Sequence, residues 1–303
     1  GSSPIILPIL GKTFPGVVTF RDLADVQSML RAARQYHRAA VIGGGLLGLE
    51  AANALVKRGM DVTVVHLLPT LMERQLDAPA AALLRASLES RGLKFRMPAK
   101  TVAVLGENRA TGLRFEDGSG LEADLIVMAA GVRPNIDLAS RAGLRCERGV
   151  LVDDTLQTFD PSVYAVGECV QHRNTVFGLV APLWEQARVC AAHLAEVGVR
   201  RYRGSLTATQ LKVTGIEVYS AGDLSESEGS ESLVLRDHRR GIYKRLVVRD
   251  NRLQGAVLYG DAGLGAWYFD LIASGTDISG LREQLLFGRD GASETTVSAA
   301  TAG

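Results

Sequence analysis

The spacing of apolar residues changes several times along this chain, and each change marks an element. Ala40, Val41 and Ile42 form a short run of the buried-strand type, followed by glycines and then by a helical segment through Glu50, Ala51, Ala52, Ala54, Leu55 and Val56 that stops at Gly59. Residues 61–65, Asp-Val-Thr-Val-Val, make a second strand, so the stretch reads as a βαβ unit. Residues 22–36 carry helical spacing in Leu23, Val26, Leu30 and Ala33, and residues 77–91 carry it in Leu83, Leu84 and Leu88 before Gly92. Residues 93–96 form a short strand. Segments 101–104, 112–116 and 120–123 alternate and are separated by Gly106-Glu107-Asn108 and Asp117-Gly118-Ser119, which predicts an antiparallel ribbon with tight turns.

Residues 125–131, Leu-Ile-Val-Met-Ala-Ala-Gly, are fully apolar until the glycine and predict a strand returning to a parallel sheet. Such a strand delivers its following loop to the carboxyl edge of the sheet, where ligands of open α/β folds bind. Segments 149–152 and 163–166 read as two more short strands, the second running into Gly167-Glu168-Cys169, and 182–197 reads as an amphipathic helix. Beyond about Tyr202 the texture becomes β-rich. Segments 211–221, 232–235, 242–248 and 253–259 alternate between Gly, Asp and Asn turns, with one helix near 264–274, which predicts a separate α+β domain. Residues 289–303 are Ser, Thr, Ala and Gly with little to bury and read as a flexible tail.

With 303 residues, 47% of them hydrophobic, the chain can bury two or three cores. Lys and Arg number 34 against 33 acidic residues, so no field of one sign points to nucleic acid or to a membrane surface. Arg236, Arg239, Arg240, Lys244 and Arg245 cluster locally with Asp237 and Asp250 nearby, and a solvated sheet face is the expected reason. No apolar run approaches the ~20 residues that span a bilayer, and no signal segment opens the chain, so a cytoplasmic protein is expected. Cys146, Cys169 and Cys190 are odd in number and far apart, which speaks against a disulfide framework, a redox pair or a zinc site; no metal site is expected. Redox chemistry would have to come from a bound cofactor.

Gly43, Gly45 and Gly48 stand at G-x-G-x-x-G spacing between strand and helix. Gly43 allows the tight turn, Gly45 lets backbone approach a pyrophosphate, and Gly48 lets helix and strand pack closely. The helix N-terminus adds free N–H groups and partial positive charge. An acidic residue commonly closes the second strand of such a unit and holds the ribose 2′-hydroxyl. This chain has His66 there. A neutral imidazole can bond a 2′-hydroxyl, and a protonated one, helped by Arg74, would favour the 2′-phosphate of NADP. Against this stand a solvated strand-end histidine and a plain surface arginine, so the choice between NADH and NADPH is open.

Five features occur in a recognisable order: the Gly43 to Glu50 run, the ribbon, Gly131-Val-Arg-Pro-Asn135, Asp154-Thr-Leu-Gln-Thr158 and Val163-Tyr-Ala-Val-Gly-Glu-Cys169. In this the chain resembles the FAD-dependent pyridine nucleotide-disulfide oxidoreductases. Val62-Thr-Val-Val-His-Leu-Leu-Pro-Thr-Leu-Met-Glu-Arg-Gln-Leu-Asp77, Lys212-Val-Thr-Gly215, Ala221-Gly222-Asp223 and Val257-Leu-Tyr-Gly-Asp261 are similar, more narrowly, to the large subunit of NAD(P)H-dependent assimilatory nitrite reductases. The likeness runs to about Gly288.

The resemblance implies an α/β chain. A Rossmann-like NAD(P)H domain with its antiparallel ribbon (39–135) would interrupt a partial FAD domain, contributed by an edge and connecting helix (1–38) and a second FAD-binding segment (136–203). A small C-terminal α+β domain (204–288) would follow. Gly43, Gly45, Leu46, Leu47 and Gly48 would cradle the NAD(P)H pyrophosphate. Glu50 would face the nicotinamide and flavin rings as the catalytic residue, its bland alternative being a first-turn glutamate favoured by the helix dipole. Gly131 would line the nicotinamide. Gly167 and Glu168 would hold the flavin, the carboxylate accepting ribityl hydroxyls. The helix N-terminus near Leu183 and Trp184 would face the N1/O2 edge of the flavin. Cys169 would be a small buried filler.

The implied activity is hydride transfer from NAD(P)H to FAD, with electrons leaving for a downstream redox centre or acceptor domain. The family's leading segment, with its own glycine turn for the ADP half of FAD, has no counterpart here, and Gly1-Ser2-Ser3-Pro4 matches the sequence that closes it. The resemblance therefore implies a fragment that binds NAD(P)H at the Gly43 turn and FAD weakly or not at all. Iron–sulfur and sirohaem centres would belong only to the longer parent protein, because the three cysteines lack cluster spacing. Two other functions stay open: a ferredoxin- or rubredoxin-type NADH reductase, and an inactive nucleotide-binding or interaction remnant.

Overall fold

A computed structural model describes residues 1–211, 213 and 215–288. The tail expected at 289–303, and Lys212 and Thr214 of the 212–215 similarity, lie outside the described residues. The chain divides into two units, one of residues 1–67 with 93–207 and one of residues 68–92 with 208 onward.

In the first unit a five-stranded parallel sheet has the order Val17–Thr19, Leu125–Met128, Arg38–Ile42, Asp61–Val65, Lys94–Arg96. The two central strands are apolar because both sheet faces are covered; Ala40, Val41, Ile126 and Val127 are fully buried. Ile42 is in register with both Val65 and Met128, so three strands end together at the carboxyl edge, where Gly43, His66 and Ala129 leave the sheet. The helix Leu46–Val56 follows at once and buries Gly48, Leu49, Ala51, Ala52 and Leu55. The ribbon Thr101–Gly106, Ala110–Phe115, Gly120–Glu122 is antiparallel as predicted. Its Val104, Leu113 and Phe115 join Ile42, Val65 and Met128 in one core.

A second core of this unit collects Leu156, Val170, Phe177, Val189, Cys190 and Tyr202 beneath the helix Val180–Leu194. Here the sequence reading needs correction. Residues 163–166 are not a strand; they carry a single bridge, Tyr164 to Gln157. The partner of Val150–Val152 is instead Val170–His172, in parallel register and extended by Thr175–Val176. Its polar residues concealed it. Gln171 is buried with its Oε1 accepting from the Arg148 and Gly149 amides, and buried His172 bonds Asp154 at 2.8 Å. The helix also begins at Val180 and ends at Leu194, not at 182 and 197, and the chain then reverses through Glu196 and Gly198, both at positive φ.

The second unit is built on an antiparallel sheet ordered Ala208–Gln210, Val218–Gly222, Arg252–Tyr259, Ile242–Arg249, Ser230–Asp237. The expected strand 211–221 is interrupted by a turn at Gly215, where φ is +75°, and only its end joins the ladder. Leu246, Val248, Ala256, Leu258, Tyr268 and Leu271 form the core against the helix Gly265–Ser274.

The helix Ala78–Glu89 belongs to this unit. Its N-cap, Asp77, accepts from the Ala80 amide at 3.2 Å and from the Tyr243 hydroxyl at 2.5 Å, and lies 3.7 Å from Arg245. Tyr259 donates to the Leu83 carbonyl at 3.2 Å, and Arg91 to the Gly215 carbonyl at 2.6 Å. These contacts explain a second correction: Lys244 and Arg245 are not on a solvated face but are 5% and 9% exposed. Side chains alternate along Ile242–Arg249, so Leu246 and Val248 enter the core while Tyr243 and Arg245 meet Asp77. Each buried cation is paired, Lys244 with Asp261 at 2.7 Å and Arg245 also with Glu226 at 2.9 Å. The Lys244 ammonium holds the Asp261 carboxyl below the usual carboxylate range.

Candidate functional site

Three glycines shape the turn between Arg38–Ile42 and Leu46–Val56, but for different reasons. Gly43 has φ of +130°, and an added Cβ would lie 2.3 Å from the Ala129 carbonyl oxygen. At Gly48 a Cβ would lie 2.0 Å from the Gly43 carbonyl oxygen. The packing of the chain on itself therefore demands both. Gly45 is unlike them: φ of −85° and ψ of −177° suit any residue, and its Cβ position has nothing within 4 Å. The protein has no internal need of glycine there. A side chain at 45 would fill only the space in front of the turn, where an approaching pyrophosphate would need the backbone bare. Gly45 is also the N-cap and offers no side chain to the first-turn N–H groups, which leaves them for an anion. Leu46 and Leu47 open the helix, with Leu47 exposed.

His66 leaves the strand Asp61–Val65 and is half-buried rather than a solvated strand end. Its Nδ1 accepts the Gly44 N–H at 3.1 Å, its N–H donates to the Arg96 carbonyl, and its carbonyl accepts from Ala99. An accepting Nδ1 requires the neutral ring with hydrogen on Nε2. The imidazole thus supports the glycine turn, and full protonation would end that bond. His66→Leu, which removes the acceptor, is expected to weaken NADH binding about tenfold, whereas His66→Asn, which can replace it, stays within about threefold. Fluorescence titration checks this, and equal affinities for the two variants would remove His66 from the site. Arg74 is exposed and belongs to the second unit.

Glu50 is the fifth residue of its helix and half-buried; the first turn holds no acidic residue. The helix-dipole account of Glu50 therefore fails, because that effect fades beyond the first turn. Gly131, at φ of +104°, ends the strand-to-loop passage, and its carbonyl accepts the Ile5 N–H at 2.9 Å. Ser2–Pro4 pairs antiparallel with Val132–Pro134 beside it.

The same N-terminal strand reaches Glu168. Ser2 Oγ donates to Glu168 Oε2 at 2.7 Å, and Arg21 forms an ion pair with the same oxygen. Burial raises the tendency of this carboxyl to hold a proton, yet the Ser2 hydroxyl and the Arg21 guanidinium outweigh it and keep Glu168 below the usual range. It stands as an anion at neutral pH, able to accept hydroxyl hydrogens. The adjoining Gly167 has φ of +106°, nothing within 4 Å of its Cβ position, and an N–H held by Gln186 Oε1 at 2.9 Å.

Because the helix starts at Val180, Leu183 and Trp184 lie past its opening residues; Leu183 packs on the second core and Trp184 is 64% exposed. The residues at the N-terminus itself are Val180 and Ala181. Cys169 is half-buried rather than buried, its Sγ 3.6 Å from the Val166 carbonyl. Ser2, Arg21 and Gln186 escaped the sequence reading. Ser2 lay within a quoted motif, whereas Arg21 carries no local signal. Among the described residues no helix is long and apolar enough to cross a membrane, and no three His, Cys, Asp or Glu group as metal ligands.

A family described as pyridine nucleotide-disulphide oxidoreductase matches residues 1–196. The chain belongs to this family. Residues 208–276 match a second family, the rubredoxin NAD+ reductase C-terminal domain. A nitrite reductase [NAD(P)H] of Bacillus subtilis is 52% identical over 279 residues, covering 92% of this chain and 35% of that protein. An assimilatory nitrate reductase electron transfer subunit of the same organism is 46% identical over 286 residues, covering 94% and 37%. The chain thus spans about a third of the length of these relatives. The solved structure of an FAD-dependent pyridine nucleotide-disulphide oxidoreductase from Desulfovibrio vulgaris superposes with a TM-score of 0.77 at 26% identity, over 92% of this chain and 75% of that one. These likenesses agree with the Rossmann-like sheet, the ribbon and the C-terminal sheet described above.

Proposed function

We propose that this chain carries, in the cytoplasm, the NAD(P)H-to-FAD hydride transfer of a nitrite reductase large subunit and passes the electrons to a downstream redox centre. The observation that carries the proposal is Gly45, a glycine with ordinary backbone angles and no neighbour, standing between two glycines that the fold itself requires. Gly43 and Gly48 set the turn, the first-turn amides face the pyrophosphate, and His66 fixes the Gly44 amide. Glu50 and Gly131 take the nicotinamide end.

The family implies FAD, and the residues present fit the ribityl side of that group. Glu168 is kept anionic by Ser2 and Arg21, and Gly167 leaves open space next to it. A bound flavin supplies the acceptor for a hydride and can release the electrons one at a time. Iron–sulfur and sirohaem centres belong, in this proposal, to a longer protein. The match of residues 208–276 favours a second reading, a rubredoxin- or ferredoxin-type NADH reductase with the same core chemistry and a different acceptor.

The test is dye reduction by the chain supplemented with FAD, using NADH and NADPH in turn. NAD(P)H-dependent reduction that requires FAD and disappears in Glu168→Ala is the expected result. A chain that binds both cofactors and reduces no dye would be an inactive remnant. Faster reduction of a rubredoxin than of the dye would favour the second reading.

A further inference from the structure

A cleft of about 420 Å³ opens between the helix Val180–Leu194 and residues 200–204, away from the glycine turn in sequence and built from different elements. Its lining includes Glu185, Arg188, Arg200, Arg201, Arg203 and Gly204. The anchor of this wall is Tyr202, only 2% exposed. Its N–H donates to the Asp154 carbonyl at 2.7 Å, its ring meets His172 and Phe177 edge-on, and its hydroxyl bonds Ser205 Oγ at 2.8 Å. Ser205 in turn donates to Glu185 on the helix at 2.6 Å. With Tyr202 buried, its neighbours Arg201 and Arg203 are turned outward, and both are exposed along with Arg200 and Arg188.

Charge makes this arrangement unusual. The whole chain has a formal net charge of only +1, yet four arginines meet here against the single carboxylate of Glu185, which already accepts a hydrogen bond. None of the four takes part in an ion pair among the described residues, although most other buried or clustered cations of the chain do. Four guanidinium groups around one cleft repel one another, and among the described residues that line it Glu185 is the single carboxylate. A bound anion would compensate them. Guanidinium forks match phosphate oxygens two at a time, which distinguishes this set from a group of lysines.

We infer that this cleft binds a compact polyphosphate-bearing small molecule, at a site separate from the NAD(P)H turn. Size favours a small ligand over an acidic protein segment. The helix wall runs only from Glu185 to Val189, about 6 Å of rise, and the volume lies within the usual range for small-molecule sites. Gly204, at φ of +105° with nothing within 4 Å of its Cβ position, leaves the entrance open.

The experiment is calorimetric titration of the chain with inorganic tripolyphosphate at about 0.15 M salt, with ATP and a poly-glutamate peptide as parallel arms. Gly45→Val serves as the background, to silence the glycine turn. Saturable tripolyphosphate binding that weakens at least tenfold when Arg188→Ala and Arg203→Ala are added is the expected result. The same pair in the otherwise unaltered chain should leave NADH affinity and melting temperature unchanged. Tighter binding of ATP than of tripolyphosphate would identify a nucleotide as the ligand and support the site. Undetectable tripolyphosphate binding, binding indifferent to the two arginines, or equal binding of poly-glutamate would each overturn it. Because Gly45 is altered in every tripolyphosphate titration, failure there leaves the nucleotide turn untouched.

Discussion

Gly45→Val is expected to abolish measurable NADH binding while lowering the melting temperature by no more than about 4 °C. Valine adopts the φ and ψ of this position freely, and its side chain enters space that holds no protein atom within 4 Å of the Cβ. The small stability loss reflects a poorer N-cap, about 1 kcal/mol or less. Gly48→Ala should behave in the opposite way. Its Cβ would meet the Gly43 carbonyl oxygen at 2.0 Å, so the helix must move off the strand. Such backbone overlap costs about 3 kcal/mol, or roughly 6–12 °C, and binding is lost together with stability. The contrast between the two variants separates a glycine kept for a ligand from one kept for packing. Differential scanning fluorimetry with an NADH titration on each variant reads both quantities. A Gly45→Val protein that still binds NADH as tightly as the parent would contradict the assignment of the turn.

Asp77→Ala is expected to cost the second unit about 3–5 kcal/mol, read as a lower urea midpoint. Asp77 caps the helix Ala78–Glu89, accepts the Tyr243 hydroxyl and faces Arg245, whose side chain is 11% exposed. Removing it strands a buried hydroxyl and leaves Arg245 the Ser232 hydroxyl and Glu226, a carboxylate that is itself 72% exposed. Burial together with the Asp77 carboxylate pushes the Tyr243 phenol well above its ordinary range, so the hydroxyl remains a donor at any physiological pH. Asp77→Asn, which keeps the cap and loses the charge, should fall between parent and alanine variant. Tyr243→Phe removes donor and demand together and should cost about 1 kcal/mol. A loss below 1 kcal/mol for Asp77→Ala would show that the helix is held chiefly by its apolar face.

What could be read in the chain and what could not follows from how local each cause is. The strand 61–65, the stop at Gly59 and the ribbon turns came through without change, because turn glycines and alternation act within a few residues. The Val170–His172 strand was hidden because its polar residues are satisfied by Glu147, Arg148, Gly149 and Asp154, none of them adjacent. Lys244 and Arg245 looked solvated for the same reason: the groups that neutralise them, Asp261, Glu226 and Asp77, lie elsewhere in the chain. Within the candidate site the glycines and Glu168 were legible as motifs, while Ser2 and Arg21 became part of it only through folding. His66 stood out as a departure from the acidic pattern, but its bond to Gly44 depends on the register of two strands.

Amide hydrogen exchange, followed residue by residue with and without NADH, tests the central claim most directly, because it reports where the dinucleotide sits rather than whether it binds. The account predicts that saturating NADH slows exchange at Gly44 to Leu49, the turn and first helical residues, in the parent chain, and that Gly45→Val removes this protection. NADH protection confined to residues 185–204, or spread elsewhere with the 44–49 amides unchanged, would contradict it.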